Sequence, residues 1–592
     1  MGIKIKIKRL SRKWRRFWQI VSLAGFVVCL ISGIYTLSLY SSNAALDSAE
    51  PETVATSASS SVASDSSDSQ PAFSREQKFP PASPAKRQQK PSNCGSPSGG
   101  PTDNPIADRY GSNAYAWSNK IRWNCVYNIK DFQGSTMVEQ FNAARDAAAI
   151  AGGGTVYFPA GTYNFGDSIY LKNGVVLRGD TPSVADAKSN GYAPPSKLVF
   201  PKYEPRRSQS GTPNNTAFKK IFTASPNEDS NLGLVNLDIN RAAIYIIGDP
   251  DSGVRKNLVI FGIRSNNVAE PDPTVPDLSF QEAWLRYSYR FATNIKVNAR
   301  ENILIANNRL NDATTDSYQQ PGYRVKSVDG KSILTYKEGW KVPFSYTDHY
   351  GIAVNRSKPG GFQLAATSAT EPGLFRKGIT IRDNWVYHTM RVGIHASGDG
   401  LIIQDNQIKD KSGKQAWAHP TGLKEPRGAA TFENRAIDWS GSNVSIEGNQ
   451  YQAYRHQIMD SNYLSTDGEG ILAQECCGGT IVKGARIIGN EGNSYIGLYK
   501  VRDINDLAIA ENKLLSNITN TSLIFVVADT NAASYSIYNS RIENNTVNGS
   551  IEVQATAGGS GNVIKNNRGN NSGSIIASSH VRVSDNIGFK NK

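Results

Sequence analysis

The stretch ITIRDNWVYHTMRVGIHASGDGLIIQDNQIKD, residues 379–410, decides the fold. It carries one short pattern twice, Ile381/Asn384/Val386 and then Ile403/Asn406/Ile408, with the two asparagines 22 residues apart. The same order, apolar, Asn three positions on, apolar two further, recurs on both sides. Ile305/Asn308/Leu310 precedes it, and Ile446/Asn449/Tyr451, Ile509/Asn512/Leu514 and Ile542/Asn545/Val547 follow. Ile564/Asn567 and Val583/Asn586 continue the series without the last apolar residue. Intervals of 22 (545 to 567) and 19 (567 to 586) set the length of one coil, and longer intervals hold insertions. Self-similarity at a fixed period marks a solenoid in which each repeat buries its apolar face against the next. Asparagine suits such a bend, because it accepts left-handed backbone and its amide can bond to the copies above and below. The expectation is that the repeated asparagines themselves take that conformation.

The body opens on a helix and short strands. Thr136 and Glu139 have capping-box spacing, Met137, Val138, Phe141, Ala144 and Ala148 recur at helical intervals, and Gly152 ends the run. Residues 155–163, 168–171 and 175–179 then read as strands. The run GGGTVYFPAGTYNFGDSIYLKNGVVLRGD, residues 152–180, after an alanine-rich helix, resembles the amino-terminal part of the pectate-lyase-like superfamily. The resemblance covers residues 130–182 and no catalytic motif. It implies an all-β, right-handed parallel β-helix with an amino-terminal capping helix, of the kind found in polysaccharide lyases, glycoside hydrolases and phage tailspikes.

The 592 residues divide unevenly in composition. Residues 1–16 are basic, and residues 17–40 form an apolar run of 24 residues with no charge, long enough to span a bilayer. Trp14, Trp18 and Tyr40 lie at its ends, where amphipathic aromatics favour the interface. The expected arrangement is a cytoplasmic amino terminus, a transmembrane signal anchor at 17–40, a disordered Ser/Ala/Pro-rich stalk at 41–105 and a β-helix domain at 106–592. Ser42-Asn43-Ala44-Ala45 offers the competing reading, a cleaved signal peptide. Both readings export the rest of the chain to the cell surface or periplasm. The net charge of +14 includes eight basic residues in 1–40 and a net −2 in 41–105, leaving +8 for the body. So mild a surplus argues against nucleic acid as a partner and leaves room for an acidic polymer. Outside the apolar run stand Cys94, Cys125, Cys476 and Cys477, which permit three pairings. Cys94 with Cys125 is the expected disulfide, tying the end of the stalk to the body. No cysteine or histidine cluster has zinc spacing.

A second short strand, small-apolar, precedes most copies of the Asn pattern: Gly351-Ile352, Gly393-Ile394, Ala436-Ile437, Gly470-Ile471 and Gly497-Leu498. Stacking the coils on the small residue places chemistry on one strip. The column three before it holds Asp348, Glu433 and Asp467, and the next holds His349 and Arg391. Arg435 and Glu469 share the column after that, and two past the small residue lie His395 and Asp438. Arg455 and His456 lie just upstream of Asp467.

This composition suits sugar chemistry. Asp467, Glu469, Glu433 and Asp348 are the candidate catalytic carboxylates. His349, Arg391, His395, Arg435, Asp438, Arg455 and His456 are candidate substrate contacts. Glu433 and Asp467 would stand about 5 Å apart, near the retaining separation, and Asp348 and Glu433 about 9.6 Å, at the edge of the inverting range. A glycoside hydrolase working through paired carboxylates is therefore favoured on a polysaccharide partner. The alternatives are a lyase on a uronic-acid polymer, with His349, His395, Arg391 and Arg435 as its bases and cations, and a non-catalytic glycan-binding or structural β-helix. No cofactor is expected; for the acidic cluster near Asp467, Ca²⁺ binding and a plain solvated turn are the competing readings. Long insertions at 311–346, 409–432 and 452–466 attach to these same coils and would wall a groove. Aromatics at Tyr346, Tyr350, Trp385, Tyr387, Trp417, Trp439, Tyr451 and Tyr454 cluster there too.

Overall fold

The computed structural model describes residues 94–202, 219–225, 228–247, 255–268, 293–311, 319–328, 331–343, 350–355, 377–387, 392–409, 435–459, 462–474, 482–499, 501, 503–517, 522–527, 536–554 and 558–590. The basic terminus, the apolar run at 17–40 and the stalk up to residue 93 lie outside them, as do Cys476 and Cys477. Among the described residues no helix is long and apolar enough to cross a membrane.

Short strands, three to a coil over most of the length, stack into three long parallel sheets, joined by a fourth of four strands from Val482–Lys483 to Gly559–Ser560, a parallel β-helix. Among the described residues the long sheet has 14 strands from Val126–Asn128 to Val581–Ser584. A second sheet has 12, from Ile169–Leu171 to Ile575–Ala577, and a third has 11, from Gly161–Asn164 to Thr546–Val547. The core is a ladder of like residues. Ile260, Ile305, Ile381, Ile403, Ile446, Ile487, Ile509, Ile542 and Ile564 are successive register partners in the long sheet, all buried. Burying each such side chain contributes about 1.5–3 kcal/mol.

The repeated asparagines sit at the bend after this ladder. Asn308, Asn384, Asn406, Asn449, Asn490, Asn512, Asn545, Asn567 and Asn586 form one continuous hydrogen-bonded column. Asn406 is representative. Its Nδ2 donates to Asn449 Oδ1 at 2.9 Å and to the Ile381 carbonyl at 3.0 Å, and its Oδ1 accepts from the N–H and Nδ2 of Asn384 at 3.1 and 2.9 Å. The expectation about left-handed backbone is corrected here. The positive-φ residue is the one before each ladder asparagine: Asn307, Asp383, Asp405, Gly448, Gly489, Glu511, Asn544, Asn566 and Asp585. That residue turns the corner, so the asparagine behind it can point its amide along the stack. Asn490 joins the same column, although Gly492 stands where the pattern has an apolar residue. A Cβ on Gly492 would lie 2.1 Å from Tyr451 Cζ, so the ring of the preceding coil fills that position.

The helix Met137–Ile150 places Phe141, Ala144 and Ala148 in the core beside the first strands. Thr136 Oγ1 accepts from the Glu139 N–H at 3.2 Å, and the Glu139 carboxylate reaches back to the Ser135 N–H at 2.9 Å, one residue earlier than a standard capping box.

Residues 94–105, which composition assigned to the stalk, are bonded to the β-helix. Cys94 and Cys125 are joined by a disulfide, S–S 2.02 Å. Ser98 N–H donates to Asp131 at 2.9 Å. The fully buried Arg178 holds the Asp103 carboxylate at 2.7 and 2.8 Å and the Asp103 carbonyl at 2.6 Å. Ile106, Ile121 and Trp123 then cover the outward Val176, Val235, Val259 and Leu304 of the long sheet. Tyr110 Oη donates to Asp383 at 2.9 Å, and Arg382 and Lys188 pair with the same carboxylate at 2.9 and 3.3 Å. The segment 94–123 is thus a strap along the outside of the long sheet.

Burial raises the pKa of Asp103, but the Arg178 hydrogen bond and charge outweigh it and hold the carboxyl below its ordinary value. Burial acts likewise on Asp383 and is outweighed by the Arg382 charge and the Arg382 and Tyr110 hydrogen bonds. A folded pKa below the unfolded one, about 3.9, means stabilisation fully present above that value and lost as pH falls through the folded pKa. Strap amides should therefore keep constant hydrogen-exchange protection from pH 7 to about 4 and lose it below. Asp103→Asn should cost about 2 kcal/mol at pH 7, because Arg178 is left buried without its anion. Protection unchanged at pH 3, or a neutral Asp103→Asn, would contradict this account of the strap.

Candidate functional site

Three strands of the second sheet, Tyr350–Val354, Val392–Ser397 and Glu469–Gln474, have glycine as their second residue, and Arg435–Ser440 has alanine. A Cβ on Gly393 would meet the Ala436 carbonyl oxygen at 2.8 Å, and one on Gly470 the Tyr495 carbonyl oxygen at 2.1 Å. This explains the small residue, and it makes the residue before it and the residue two after it both face outward. The register places Tyr350 beside Val392, then Arg435, then Glu469, and Ala353 beside His395, then Asp438, then Leu472. The stacking read from the sequence holds across these four coils. It fails at the fifth, where Leu472 pairs with Gly497 and not Tyr499. Gly497 is small for a different reason: the Phe525 ring would lie 2.3 Å from its Cβ.

Four of the candidate residues meet on this strip. Nδ1 of His395 stands 3.2 Å from Asp438 Oδ2. Arg435 Nη1 donates to the same oxygen at 3.3 Å, and Arg435 Nε donates to Glu469. Tyr350 packs edge-on against the imidazole, centroids 5.8 Å apart at 78°. The order across the coils is His395, Asp438, Arg435, Glu469, and exposure rises along the last two, from 4% and 3% to 11% and 15%.

The chemistry follows from donors and acceptors. An ionised carboxylate only accepts, so it fixes the proton of a neutral imidazole on Nδ1 and leaves the lone pair on Nε2. Asp438 also stabilises the imidazolium once His395 takes a proton. Arg435 is matched by two carboxylates, Asp438 and Glu469. Among the described residues of the strip, His395 is the group able to exchange a proton near neutral pH.

Other candidates fall elsewhere. Asp348, His349, Arg391 and Glu433 lie outside the described residues. Arg455 and His456 sit on a hairpin, Tyr454–Met459 with Asn462–Asp467, opposite Thr466 and Ser465. Asp467 closes that hairpin opposite Tyr454, while Glu469 starts the coil strand, so the two acids belong to different sheets. Trp439 and Tyr451 are buried in the core, and Trp385 and Tyr387 stack on the outer face of the third sheet, centroids 5.1 Å apart. Among the described residues no three His, Cys, Asp or Glu converge as a metal ion requires. The third-sheet strands Arg309–Asn311, Trp385–Tyr387, Gln407–Lys409 and Gln450–Gln452 are followed along the chain by the second-sheet strands that start at Tyr350, Val392, Arg435 and Glu469.

No family model matches the chain, and no curated protein matches it. Among solved structures it is similar to the A-module of the Azotobacter vinelandii mannuronan C-5 epimerase AlgE6, 14% identical over 79% of this chain and 100% of that one, with a TM-score of 0.33. It is also similar to PfbA, a surface adhesin of Streptococcus pneumoniae, at 12% identity over 78% and 92% of the two chains, TM-score 0.39. A tailspike protein of E. coli bacteriophage HK620 in complex with a pentasaccharide is 12% identical over 76% and 66%, TM-score 0.37. Likeness at this level assigns no residue a role and no substrate to this chain.

Proposed function

We propose that this chain is an exported polysaccharide-modifying enzyme that removes a proton beside the carboxylate of a uronic-acid polymer, with His395 as the base. The observation that carries the reading is the His395–Asp438 pair on the outward strip, with Arg435 fixing Asp438 and Glu469 fixing Arg435. Asp438 sets the tautomer; Arg435 and Glu469 are positioning residues. A proton abstracted by His395 leaves a carbanion next to the carboxylate, and loss of the neighbouring glycosidic oxygen gives an unsaturated sugar and a new reducing end. The low exposure of the pair keeps water off it and strengthens its internal hydrogen bonds. The disulfide at Cys94–Cys125 fits an oxidising compartment, and the basic stretch with the apolar run at 17–40 supports export with a membrane anchor.

The second reading is the paired-carboxylate hydrolase, resting on Asp467, Glu469, Glu433 and Asp348. Incubation of the full chain with neutral and uronic polysaccharides separates the readings. New reducing ends with the ultraviolet absorbance of an unsaturated uronate are expected on acidic polymers alone. Reducing ends without that absorbance would favour the hydrolase, and retention on a glycan column with neither signal a binding protein.

A further inference from the structure

We infer that the carboxyl-terminal end of the β-helix pairs two copies of this chain, edge strand against edge strand, about a two-fold axis. The two ends of the solenoid differ. At the amino-terminal end the helix Met137–Ile150 lays Phe141, Ala144 and Ala148 into the core, and the first strand of the long sheet, Val126–Asn128, is already engaged at its edge, where the Ser96 N–H donates to the Val126 carbonyl at 2.8 Å. At the other end the last strand of that sheet is Val581–Ser584, and among the described residues no strand pairs with its outer edge. Such an edge offers its N–H and C=O groups to any strand that can lie beside it. The side chains agree. Val583 is the register partner of Ile564 in the isoleucine ladder, yet it is 45% exposed where Ile564 is fully buried. Ile587, on the same final coil, is 60% exposed. The terminal repeats of a solenoid otherwise close their apolar face with polar capping structure.

The ends and the charges name the occupant. A head-to-tail stack would have to seat this edge on the amino-terminal end of another copy, which that copy's own helix and Ser96 segment cover. Two carboxyl-terminal ends can meet, because a two-fold axis sets identical strands antiparallel and makes the contact isologous. Residues directly opposite in an antiparallel pair point to the same side of the sheet. Centring the axis on Val583 therefore sets Val583 against Val583 of the second copy, inward beside inward, and Arg582 against Ser584. Arg582 then lies one residue from Asp585 of the second copy, a diagonal that a long side chain spans. Both groups are exposed and, among the described residues, neither forms an ion pair. The contact joins two valines and makes two Arg–Asp pairs, one on each side of the axis. The end of a single coil is a small interface, so the dimer should separate on dilution.

Sedimentation of the full chain in mild detergent, over a wide range of concentration, reads the pairing. Monomer passing to dimer is expected as concentration rises. Arg582→Asp and Asp585→Arg each set like charges against one another and should weaken the dimer about tenfold or more. Both fall at exposed positions, so each variant should keep the wild-type thermal transition. An equal mixture of the two variants should recover wild-type affinity, because a mixed pair sets the two introduced charges against each other and the two native ones likewise. Val583→Ser should weaken the dimer as well, while Ile402→Ser, at an exposed position in the middle of the same sheet, should leave it unchanged. A monomer at every concentration would overturn the pairing, as it would if another part of the chain covered the edge. A dimer indifferent to both charge variants, the result if copies joined through the apolar run at 17–40, would overturn it too. So would a mixture that associates no more tightly than either variant alone.

Discussion

Replacing Asn406 by alanine should lower the unfolding free energy of the β-helix by about 3–6 kcal/mol. The Asn406 side chain satisfies three groups of the preceding coil: the Asn384 N–H, one hydrogen of Asn384 Nδ2 and the Ile381 carbonyl. All are buried, and each orphaned buried polar group costs about 1–3 kcal/mol. Leucine there should be no better, since it fills the volume and satisfies none of them. Asn586, the last of the column, is partly exposed, and water can replace it, so Asn586→Ala should cost under about 1.5 kcal/mol. In a solenoid each coil is stabilised mainly by its neighbours, so the loss should spread to adjacent coils. Urea unfolding followed by tryptophan fluorescence, with hydrogen exchange at the Asn384 amide, reads both. A change below about 1 kcal/mol at Asn406 would mean that the column is decoration on an isoleucine core.

The second large effect is on turnover. His395→Asn should lower kcat on an acidic polysaccharide by about a hundred- to ten-thousand-fold, the usual contribution of a positioned base. Asp438→Asn should do comparable damage, because an amide no longer fixes the proton on Nδ1. Arg435→Gln acts one step further away. It should lower kcat less than either and shift the pH profile, since Asp438 loses its fixed countercharge, while KM changes little. A purely structural role for the pair predicts instead that all three variants lose activity only in proportion to folded protein. Thermal unfolding beside the kinetics separates the two cases.

Much of this was legible in the residues. The period of the Asn pattern fixed the coil, because the solenoid repeats one environment and so repeats one residue. The strip could be stacked because a bend toward a neighbouring carbonyl demands Gly or Ala at one position per coil. The same logic misled at Gly497, where smallness answers the Phe525 ring. The strap at 94–123 was not legible at its start, since Ser-, Pro- and Gly-rich sequence reads as linker whether or not a buried arginine waits for its aspartate. Nor was the ion chain. Spacing placed Arg435 and Glu469 side by side, but only geometry shows that the arginine takes both Glu469 and Asp438.

The most direct measurement is deuterium uptake from heavy water by a uronic-acid polymer turned over by the full chain. Deuterium on the carbon that bears the carboxylate, or an unsaturated end group in its place, is predicted for the wild-type protein, with neither in His395→Asn. New reducing ends carrying no deuterium and no unsaturation, or undiminished exchange in His395→Asn, would contradict the role assigned to this histidine.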